Sequence, residues 1–361
     1  MEYIKMFRNP ELGKKMLEEI NNEVVEDITI MEVCGTHTMS IFKNGIRSLI
    51  PKNINLISGP GCPVCVTSQG YIDAVIELCR RDNVIITTFG DMMKVPGTNS
   101  SLKIQKALGR DIHIVTSPFD ALLIASKNPR KEIVFLGIGF ETTAPIIALS
   151  IYIAKKNSIN NFSVLQSIKT MPNTIKNIVL NKDAKIDGFL CPGHVSSIIG
   201  VKPFEFLSKE FNLSAVIAGF EYCDIIAAIY FLVKMIRKNE HEVKNLYSRI
   251  VKYEGNTKAL SIMYEVFTLS DSIWRGLGKI GNTGLILKEQ YKNYDAESKF
   301  NINIKQVNVN KDCLCGEILK GVKKPTQCKL FSHVCNLTNP IGPCMITEEG
   351  TCGAYYKYSE R

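Results

Sequence analysis

The last part of this 361-residue chain holds six of its twelve cysteines within forty positions. Thiolates are the ligands that zinc ions and iron–sulfur clusters use, and the glycines and prolines between these cysteines let the backbone turn around a small inorganic group. After Cys315 the gaps are 12, 6, 8 and 7 residues, without the paired C-x-x-C knuckles of zinc ribbons. The spacing favours an iron–sulfur cluster bound from separate loops, with a zinc ion or disulfides as alternatives. The six are Cys313, Cys315, Cys328, Cys335, Cys344 and Cys352.

A second pattern, GPGCPVC at residues 59–65, places Cys62 and Cys65 in a C-x-x-C between a predicted strand and a predicted helix. A helix N-terminus lowers the pKa of a nearby thiol, and Pro63 stiffens the turn, so the pair suits dithiol–disulfide exchange. Half of a zinc site is the alternative, but the chain has no second C-x-x-C to complete it. We therefore interpret Cys62 and Cys65 as a redox pair.

Cys34 and His37 lie three positions apart in the motif CGTHT, where another predicted strand ends. The two could serve as nucleophile and base, or as a metal ligand and its supporting partner, while packing is the plainer interpretation. Polar residues follow other predicted strands in the same way, and each could instead cap a helix or form a turn. They are Glu141 in FETTAP, His194 in PGHVS and Asp91 in FGDMM.

The segments that must position these motifs alternate between strand and helix patterns. Strands separated by helices, with small residues at the strand ends, indicate parallel α/β sheets, in which ligands bind beyond the carboxyl ends of the strands. The predicted strands cover residues 28–33, 54–58, 83–89, 112–116, 132–140, 161–167, 186–191 and 213–220.

The first four and the last four of these strands carry a similar series of turns, which suggests a diverged internal repeat. VCGTHT at 33–38 corresponds to GFETTAP at 139–145, and GPGCPVC corresponds to CPGHVS at 191–196. We therefore expect two similar α/β domains with parallel sheets, whose strand-end loops face a shared cleft. The expected divisions are N-terminal helices packed on the body over residues 1–26, the two α/β domains over 27–125 and 126–240, and a region over 241–361 that is first helical and then cysteine-rich.

Composition limits the classes of function. The chain has 44 basic and 35 acidic residues and a net charge of +9, but no basic run with interleaved aromatics, so nucleic-acid binding is not expected. The first residues contain no apolar signal segment, and the most hydrophobic stretch, 225–236, is too short to span a membrane. We therefore expect a cytoplasmic protein with no membrane partner. In a reducing compartment, clustered cysteines indicate metal binding or redox catalysis more than structural disulfides.

Taken together, these motifs resemble those of the hydrogenase maturation family HypD. The similarity rests on CGTHT, GPGCPVC, FGDMMKVPGT, GFETTAP and PGHVS, and on the tail from CGEILKG to EEGTCGAYY. The resemblance implies two similar α/β domains plus a third domain with a [4Fe–4S] cluster. It also implies a role in building the Fe(CN)2CO unit of [NiFe]-hydrogenases, in a complex with a small HypC-type chaperone. The partner HypE, whose C-terminal cysteine carries a thiocyanate, would supply the cyanide.

The resemblance further implies roles for particular residues. Cys34 is the expected ligand of the Fe(II) that carries the cyanide and carbonyl groups, and Cys62 and Cys65 match the redox pair. His37 and Glu141 match positions that line the same cleft. Six tail cysteines are available for four cluster positions, and the best-matched local motifs select Cys315, Cys328, Cys335 and Cys352, with Cys313 and Cys344 in reserve.

Three functions are compatible with these observations. The first is a scaffold with redox activity that assembles the iron unit, and the second is a stand-alone iron–sulfur-dependent thiol–disulfide oxidoreductase. The third is a structural metalloprotein that only docks partners. The C-x-x-C and a cluster alone would favour the oxidoreductase, whereas Cys34, which a simple reductase does not need, favours the scaffold.

Overall fold

The structure, a computed structural model, describes residues 7–24, 26–181, 184–307 and 312–358. Residues 1–6 and 25 of the predicted N-terminal segment lie outside these ranges. No helix within the ranges is long and apolar enough to cross a membrane. The strands are β1 (Ile28–Glu32), β2 (Ile54–Ser58), β3 (Val84–Thr88), β4 (Ile112–Ile114), β5 (Glu132–Gly139), β6 (Phe162–Ile168), β7 (Gly188–Cys191), β8 (Ser214–Ile217), β9 (Val243–Asn245), β10 (Phe267–Trp274) and β11 (Gly278–Leu287).

The helices connect these strands and continue into the tail. The α-helices are α1 (Pro10–Glu23), α2 (Gly35–Lys43), α3 (Ile46–Leu49), α4 (Pro63–Val66), α5 (Gln69–Leu78), α6 (Leu102–Ala107), α7 (Pro118–Lys127), α8 (Ala144–Lys156), α9 (Met171–Leu180), α10 (Gly193–Ile199), α11 (Phe206–Phe211), α12 (Tyr222–Arg237), α13 (Thr257–Val266), α14 (Ala296–Lys299), α15 (Cys315–Leu319) and α16 (Thr351–Tyr358). The short 3₁₀ helices are Gly90–Lys94, Lys202–Phe204, Glu289–Tyr294, Pro325–Gln327 and Pro343–Met345.

All eight predicted strands form, and with β9 they build two parallel sheets, which confirms the α/β class. The first sheet has the order β2-β1-β7-β8-β9 and the second the order β4-β3-β5-β6. Each sheet therefore takes strands from both halves of the predicted repeat. For example, β1 pairs with β7, with Met31 opposite Phe189. The expected boundary between residues 125 and 126 does not separate the sheets, because a hydrophobic pattern identifies a buried strand but not its neighbour.

Both sheets are buried on their two faces. Along β1, Ile30 belongs to one buried cluster and Met31 to another; along β6, Val164 and Leu165 alternate in the same way. Met31 and Leu165 lie in one cluster that contains residues of both sheets. The two sheets therefore share a hydrophobic core, and the near-continuous apolar strands follow from this two-sided burial.

An antiparallel hairpin occupies residues 267–287, which corrects the expectation that this region is helical. Strands β10 and β11 pair from Phe267 opposite Leu287 to Trp274 opposite Gly278. Gly276 and Gly278 have φ angles of 83° and 81°, in the left-handed region that favours glycine. These glycines form the turn of this hairpin.

The cysteine-rich tail consists of short helices and loops that pack against the first sheet and its loops. The last helix, α16, packs on α2, with the rings of Phe42 and Tyr355 4.5 Å apart. A Cβ on Gly321 would lie 2.5 Å from the Ile57 side chain. Cys344 belongs to the core that the two sheets share. The tail is thus packed into the body of the protein through apolar contacts as well as through its cysteines.

Candidate functional site

Cys34 lies at the carboxyl end of β1, where the chain turns from the strand into α2. Its backbone is extended, with φ −153° and ψ 123°, and it occupies the N-cap position of the helix without a capping side-chain hydrogen bond. Burial raises the pKa of the thiol to about 12. In the free protein the Cys34 sulfur therefore holds its proton at neutral pH.

The GPGCPVC loop contacts the Cys34 turn through backbone atoms. The Gly35 N–H donates a hydrogen bond to the Gly61 carbonyl at 3.2 Å. A Cβ on Gly61 would lie 2.3 Å from the Gly35 nitrogen and 2.9 Å from Cys34 Cα, closer than side chains approach backbone. Glycine at position 61 therefore allows the two loops to touch, and it delivers Cys62 to the strand ends where Cys34 lies.

Cys62 is the N-cap of the short helix α4, and Cys65 lies within that helix. A hydrogen bond from the Cys65 thiol lowers the pKa of Cys62, and both sulfurs are buried. The pKa of Cys65 is raised well above its usual value by its hydrogen bonds with Cys344 and Cys62 and by burial. The pKa of Cys62 is lowered, as the sequence predicted, but the largest cause is the hydrogen bond from Cys65. Cys62 is thus the member of the pair that ionises more readily.

The tail reaches this pair through residues 343–347. The Cys62 sulfur lies 3.6 Å from the Thr347 hydroxyl, and the Cys65 sulfur lies 3.6 Å from the Pro343 carbonyl oxygen. Cys344 lies beside Cys65, as their shared hydrogen bond shows. The Cys62–Cys65 pair is therefore in contact with one of the six tail cysteines.

All six tail cysteines line one very small apolar cavity, together with side chains such as Ile318 and Phe331. Every cysteine of the chain is a free thiol, and all twelve lie in the described residues. In those same residues, no three His, Cys, Asp or Glu side chains converge as ligands of a single metal ion. Six soft sulfur donors around one apolar cavity fit an iron–sulfur cluster by the chemistry of the donor set.

His37 lies on α2, one turn from Cys34, and is fully buried. Its Nε2 lies 3.0 Å from the Gly219 carbonyl and must carry the proton to donate to it, whereas Nδ1 has no partner in the described residues. Burial lowers the pKa of His37 to about 4. Its ring contacts Phe220, which stacks on His194 at 4.0 Å. A histidine whose pKa is lowered to about 4 and whose Nε2 donates to the Gly219 carbonyl is a weak base for the Cys34 thiol.

Glu141 lies beyond the end of β5, in the second sheet, and is buried. Its Oε1 accepts the Met171 backbone N–H at 2.7 Å, and Oε2 has no partner among the described residues. Burial raises its pKa to about 7. The bond from the Met171 N–H thus joins Glu141 to α9 and not to the loops that carry the cysteines. Asp91 is exposed, on the 3₁₀ helix that follows β3.

The sequence patterns did not identify Glu349 as a residue of this site. The Thr36 hydroxyl donates to Glu349 Oε1 at 2.8 Å, and a Cβ on Gly35 would lie 2.5 Å from the Glu349 carbonyl oxygen. After burial, the carboxylate of Glu349 also contributes to the raised pKa of Cys34. The only signal in the sequence was its place in EEGTC, directly before Cys352. Through its hydrogen bond with Thr36, Glu349 links the tail to the CGTHT turn.

Comparisons with known proteins agree with the motifs. The family model HypD, described as "Hydrogenase formation hypA family", matches residues 11–359. The chain is 44% identical over 368 residues to the hydrogenase maturation factor HypD2 of Bradyrhizobium diazoefficiens, covering 99% of this chain and 97% of that protein. It is 39% identical over 369 residues to the hydrogenase maturation factor HypD of Escherichia coli, covering 100% and 99% of the two chains. The chain therefore belongs to the HypD family of hydrogenase maturation factors.

Proposed function

We propose that this protein is a redox-active scaffold on which the Fe(CN)2CO unit of [NiFe]-hydrogenases is assembled. It would hold iron at Cys34 together with a HypC-type chaperone and accept cyanide that HypE delivers. The observation that supports this most is the meeting of three distant cysteine groups. The Cys34 turn, the Cys62–Cys65 loop and the six-cysteine tail contact one another through Gly61, Thr347 and Cys344.

Cys34 suits a transient iron site, at which the thiol is protonated without iron and becomes a ligand when iron binds. Its buried thiol, with a pKa of about 12, keeps its proton until a metal ion displaces it, because metal ligands must be deprotonated. The fixed neutral His37 and the Gly61 contact keep the turn in place. Iron is here the cargo, and Cys34 is its anchor on this chain.

Cys62 and Cys65 suit the release of cyanide from a thiocyanate carrier, which needs two electrons. In the reduced pair, Cys62 is the more acidic thiol and Cys65 donates a hydrogen bond to it. The balanced step converts the carrier thiocyanate and the dithiol into the carrier thiol, hydrogen cyanide and a Cys62–Cys65 disulfide. The carbon–sulfur bond breaks, the sulfur–sulfur bond forms, and both protons come from the pair.

Regeneration of the dithiol requires two protons, together with two electrons that come singly from an external one-electron donor. A [4Fe–4S] cluster, when bound, supplies electrons one at a time. We propose Cys315, Cys328, Cys335 and Cys352 as its ligands, with Cys313 and Cys344 in reserve. All of them line the same cavity, and Cys344 contacts Cys65.

A stand-alone thiol–disulfide oxidoreductase is the second candidate, and the contact between Cys65 and the tail cysteines favours it. Such an enzyme needs the pair and a cluster but not Cys34. The two functions therefore differ in what a substitution of Cys34 does. A reductase keeps its dithiol turnover in a Cys34 variant, whereas an assembly scaffold loses its iron unit.

Infrared spectroscopy of the protein co-purified with a HypC-type chaperone, after maturation with HypE, tests the proposal. We expect cyanide and carbonyl stretches in the wild type and in Cys79→Ser, a buried cysteine at the end of α5, and none in Cys34→Ser. Absence of these bands from an iron-loaded wild-type complex would refute the assembly function. A purely structural role is excluded if Cys62→Ala keeps the complex intact but abolishes hydrogenase maturation.

A further inference from the structure

We propose that the basic surface of the tail around Cys328 docks a small acidic one-electron carrier protein, which delivers the electrons that regenerate the Cys62–Cys65 dithiol. The inference rests on the proposed function, which needs an external one-electron donor, and it names the class of that donor and the surface that receives it. We call this surface the docking surface. It consists of Lys323, Lys324, Lys329, Val334, Leu337 and Tyr356, all of which are exposed.

Residues 328–335 form a tight turn that has a cavity-lining cysteine at each end. The Phe331 N–H donates to the Cys328 carbonyl at 3.0 Å, and the Cys335 N–H donates to the Leu330 carbonyl at 2.9 Å. These four residues line the cavity of the tail cysteines. The intervening residues Lys329, Ser332, His333 and Val334 are exposed. One turn of chain therefore separates the cavity from solvent at the docking surface.

The docking surface has a strong local excess of positive charge. Residues 318–347 contain four lysines and neither aspartate nor glutamate, so they hold four of the nine net positive charges of the chain. Lys324 and Lys329 lie on either side of Cys328, the first before the 3₁₀ helix Pro325–Gln327 that Cys328 ends, and the second directly after Cys328. In the part of the chain that the structure describes, neither lysine forms an ion pair. Such a field attracts a partner of opposite charge and speeds the encounter.

Apolar side chains of the same turn and its neighbours are exposed beside these lysines. Val334 is 52% exposed, Leu337 38% and Tyr356 37%. The Tyr356 ring packs edge to face on the cavity-lining Phe331, with ring centres 6.3 Å apart. A small apolar patch with charges around it is typical of transient interfaces, and electron-transfer complexes are among the smallest of these. The docking surface therefore suits a carrier that binds weakly, gives up an electron and leaves.

The opposite side of the cavity leads to the Cys62–Cys65 pair. Cys344 lines the cavity and belongs to the core that the two sheets share, and the carbonyl oxygen of its neighbour Pro343 lies 3.6 Å from the Cys65 sulfur. The cavity thus lies between the docking surface and the pair. Two reduced carriers each lose one electron, and with two protons from solvent the Cys62–Cys65 disulfide becomes two thiols.

The test measures the binding of a plant-type [2Fe–2S] ferredoxin, a small acidic one-electron carrier, to the full chain by isothermal titration calorimetry. We expect binding at about 50 mM salt that weakens towards about 500 mM, because salt screens exposed charges. Lys324→Glu combined with Lys329→Glu should raise the Kd about tenfold at the lower salt concentration. The matched control is Lys103→Glu combined with Lys127→Glu, which changes the net charge equally at exposed lysines of α6 and α7 and should keep the Kd within about twofold.

A second measurement follows the delivery of electrons to the pair. The cluster-loaded disulfide form is mixed with reduced ferredoxin, and the thiols of Cys62 and Cys65 are counted by alkylation and mass spectrometry. The Lys324→Glu and Lys329→Glu protein should need about tenfold more ferredoxin for half of the maximal rate and should reach the wild-type rate at saturation, because only binding is weakened. Dithiothreitol needs no docking surface, so equal rates of reduction by dithiothreitol in all variants would show that the fold and the pair are intact.

The outcomes separate this inference from the proposed function. Equal Kd values for the Lys324→Glu and Lys329→Glu protein and for its matched control would overturn the inference. Equally strong binding of cytochrome c, a basic one-electron carrier, would also overturn it, because charge would then not select the partner. Loss of ferredoxin binding when the HypC-type chaperone is bound would assign the surface to that chaperone instead. If the infrared bands of the iron unit never form while ferredoxin still binds through Lys324 and Lys329, the assembly function fails and the docking surface stands.

Discussion

Replacing Gly61 with alanine tests the contact between the Cys62–Cys65 loop and the Cys34 turn. The added Cβ would lie 2.3 Å from the Gly35 nitrogen, 2.6 Å from the Cys34 carbonyl carbon and 2.9 Å from Cys34 Cα. These are backbone atoms, which cannot rotate away as a side chain does. Overpacking costs about 1–3 kcal/mol, and we expect Gly61→Ala to lose about 2–3 kcal/mol of unfolding free energy.

The measurement is urea unfolding followed by circular dichroism, compared at equal m-value. Gly90→Ala is the matched control, since the nearest atom to its added Cβ is Ile114 Cγ2 at an ordinary 3.7 Å, and a change within about 1 kcal/mol is expected. Relief of the clash would move Cys62 away from Cys34, so hydrogenase maturation should fall in the folded Gly61→Ala protein. Wild-type stability together with wild-type maturation would refute the backbone contact.

Three further changes test other parts of the site. Burial raises the pKa of Glu141 from 4.5 to about 7, so the folded state holds this proton across a window where the unfolded state loses it. The free energy of unfolding therefore falls as pH rises from about 4.5 to about 7, by at most about 3 kcal/mol. In urea titrations, the stability of Glu141→Gln relative to the wild type should be higher at pH 8 than at pH 5. An equal stability difference at the two pH values would contradict this reasoning. In Gly35→Ala the added Cβ would lie 2.5 Å from the Glu349 carbonyl oxygen, so the tail should be loosened and cleaved faster in limited proteolysis. Gly90→Ala is the control. Equal cleavage rates in the two variants would show that the position of the tail does not depend on this contact. Serine at a cluster ligand should lower iron and acid-labile sulfide below about four per chain, and serine at a reserve cysteine should not; full iron retention removes that residue from the ligand set. The proposed ligands are Cys315, Cys328, Cys335 and Cys352, and the reserves are Cys313 and Cys344.

His37 shows how burial changes the chemistry that a motif suggests. In CGTHT the spacing of Cys34 and His37 allowed a nucleophile and its base. In the fold, the histidine donates to the Gly219 carbonyl and has a pKa near 4, while the cysteine has a pKa near 12. Neither group is ionised at neutral pH. The motif therefore suits an anchor that ionises when metal arrives better than an activated nucleophile.

Local patterns in the sequence were sufficient for the strands and for the chemical character of the cysteines. Each of the eight predicted strands formed within a few residues of its expected bounds. Periodicity and turn residues act over short distances, which is why one sequence can specify them. The C-x-x-C and the clustered tail cysteines are equally local features.

The strand order and the composition of the site were decided only by the tertiary structure. No local pattern indicates that β1 pairs with β7, or that WRGLG forms a hairpin turn. Glu349 entered the site because Gly35 permits a close backbone contact with a segment far away in the chain. Such contacts depend on how the two sheets pack around their shared core, and the spacing of residues in the sequence does not indicate this packing. The sequence by itself therefore determined which residues could do chemistry, and the packing of the two sheets and the tail decided which of them meet.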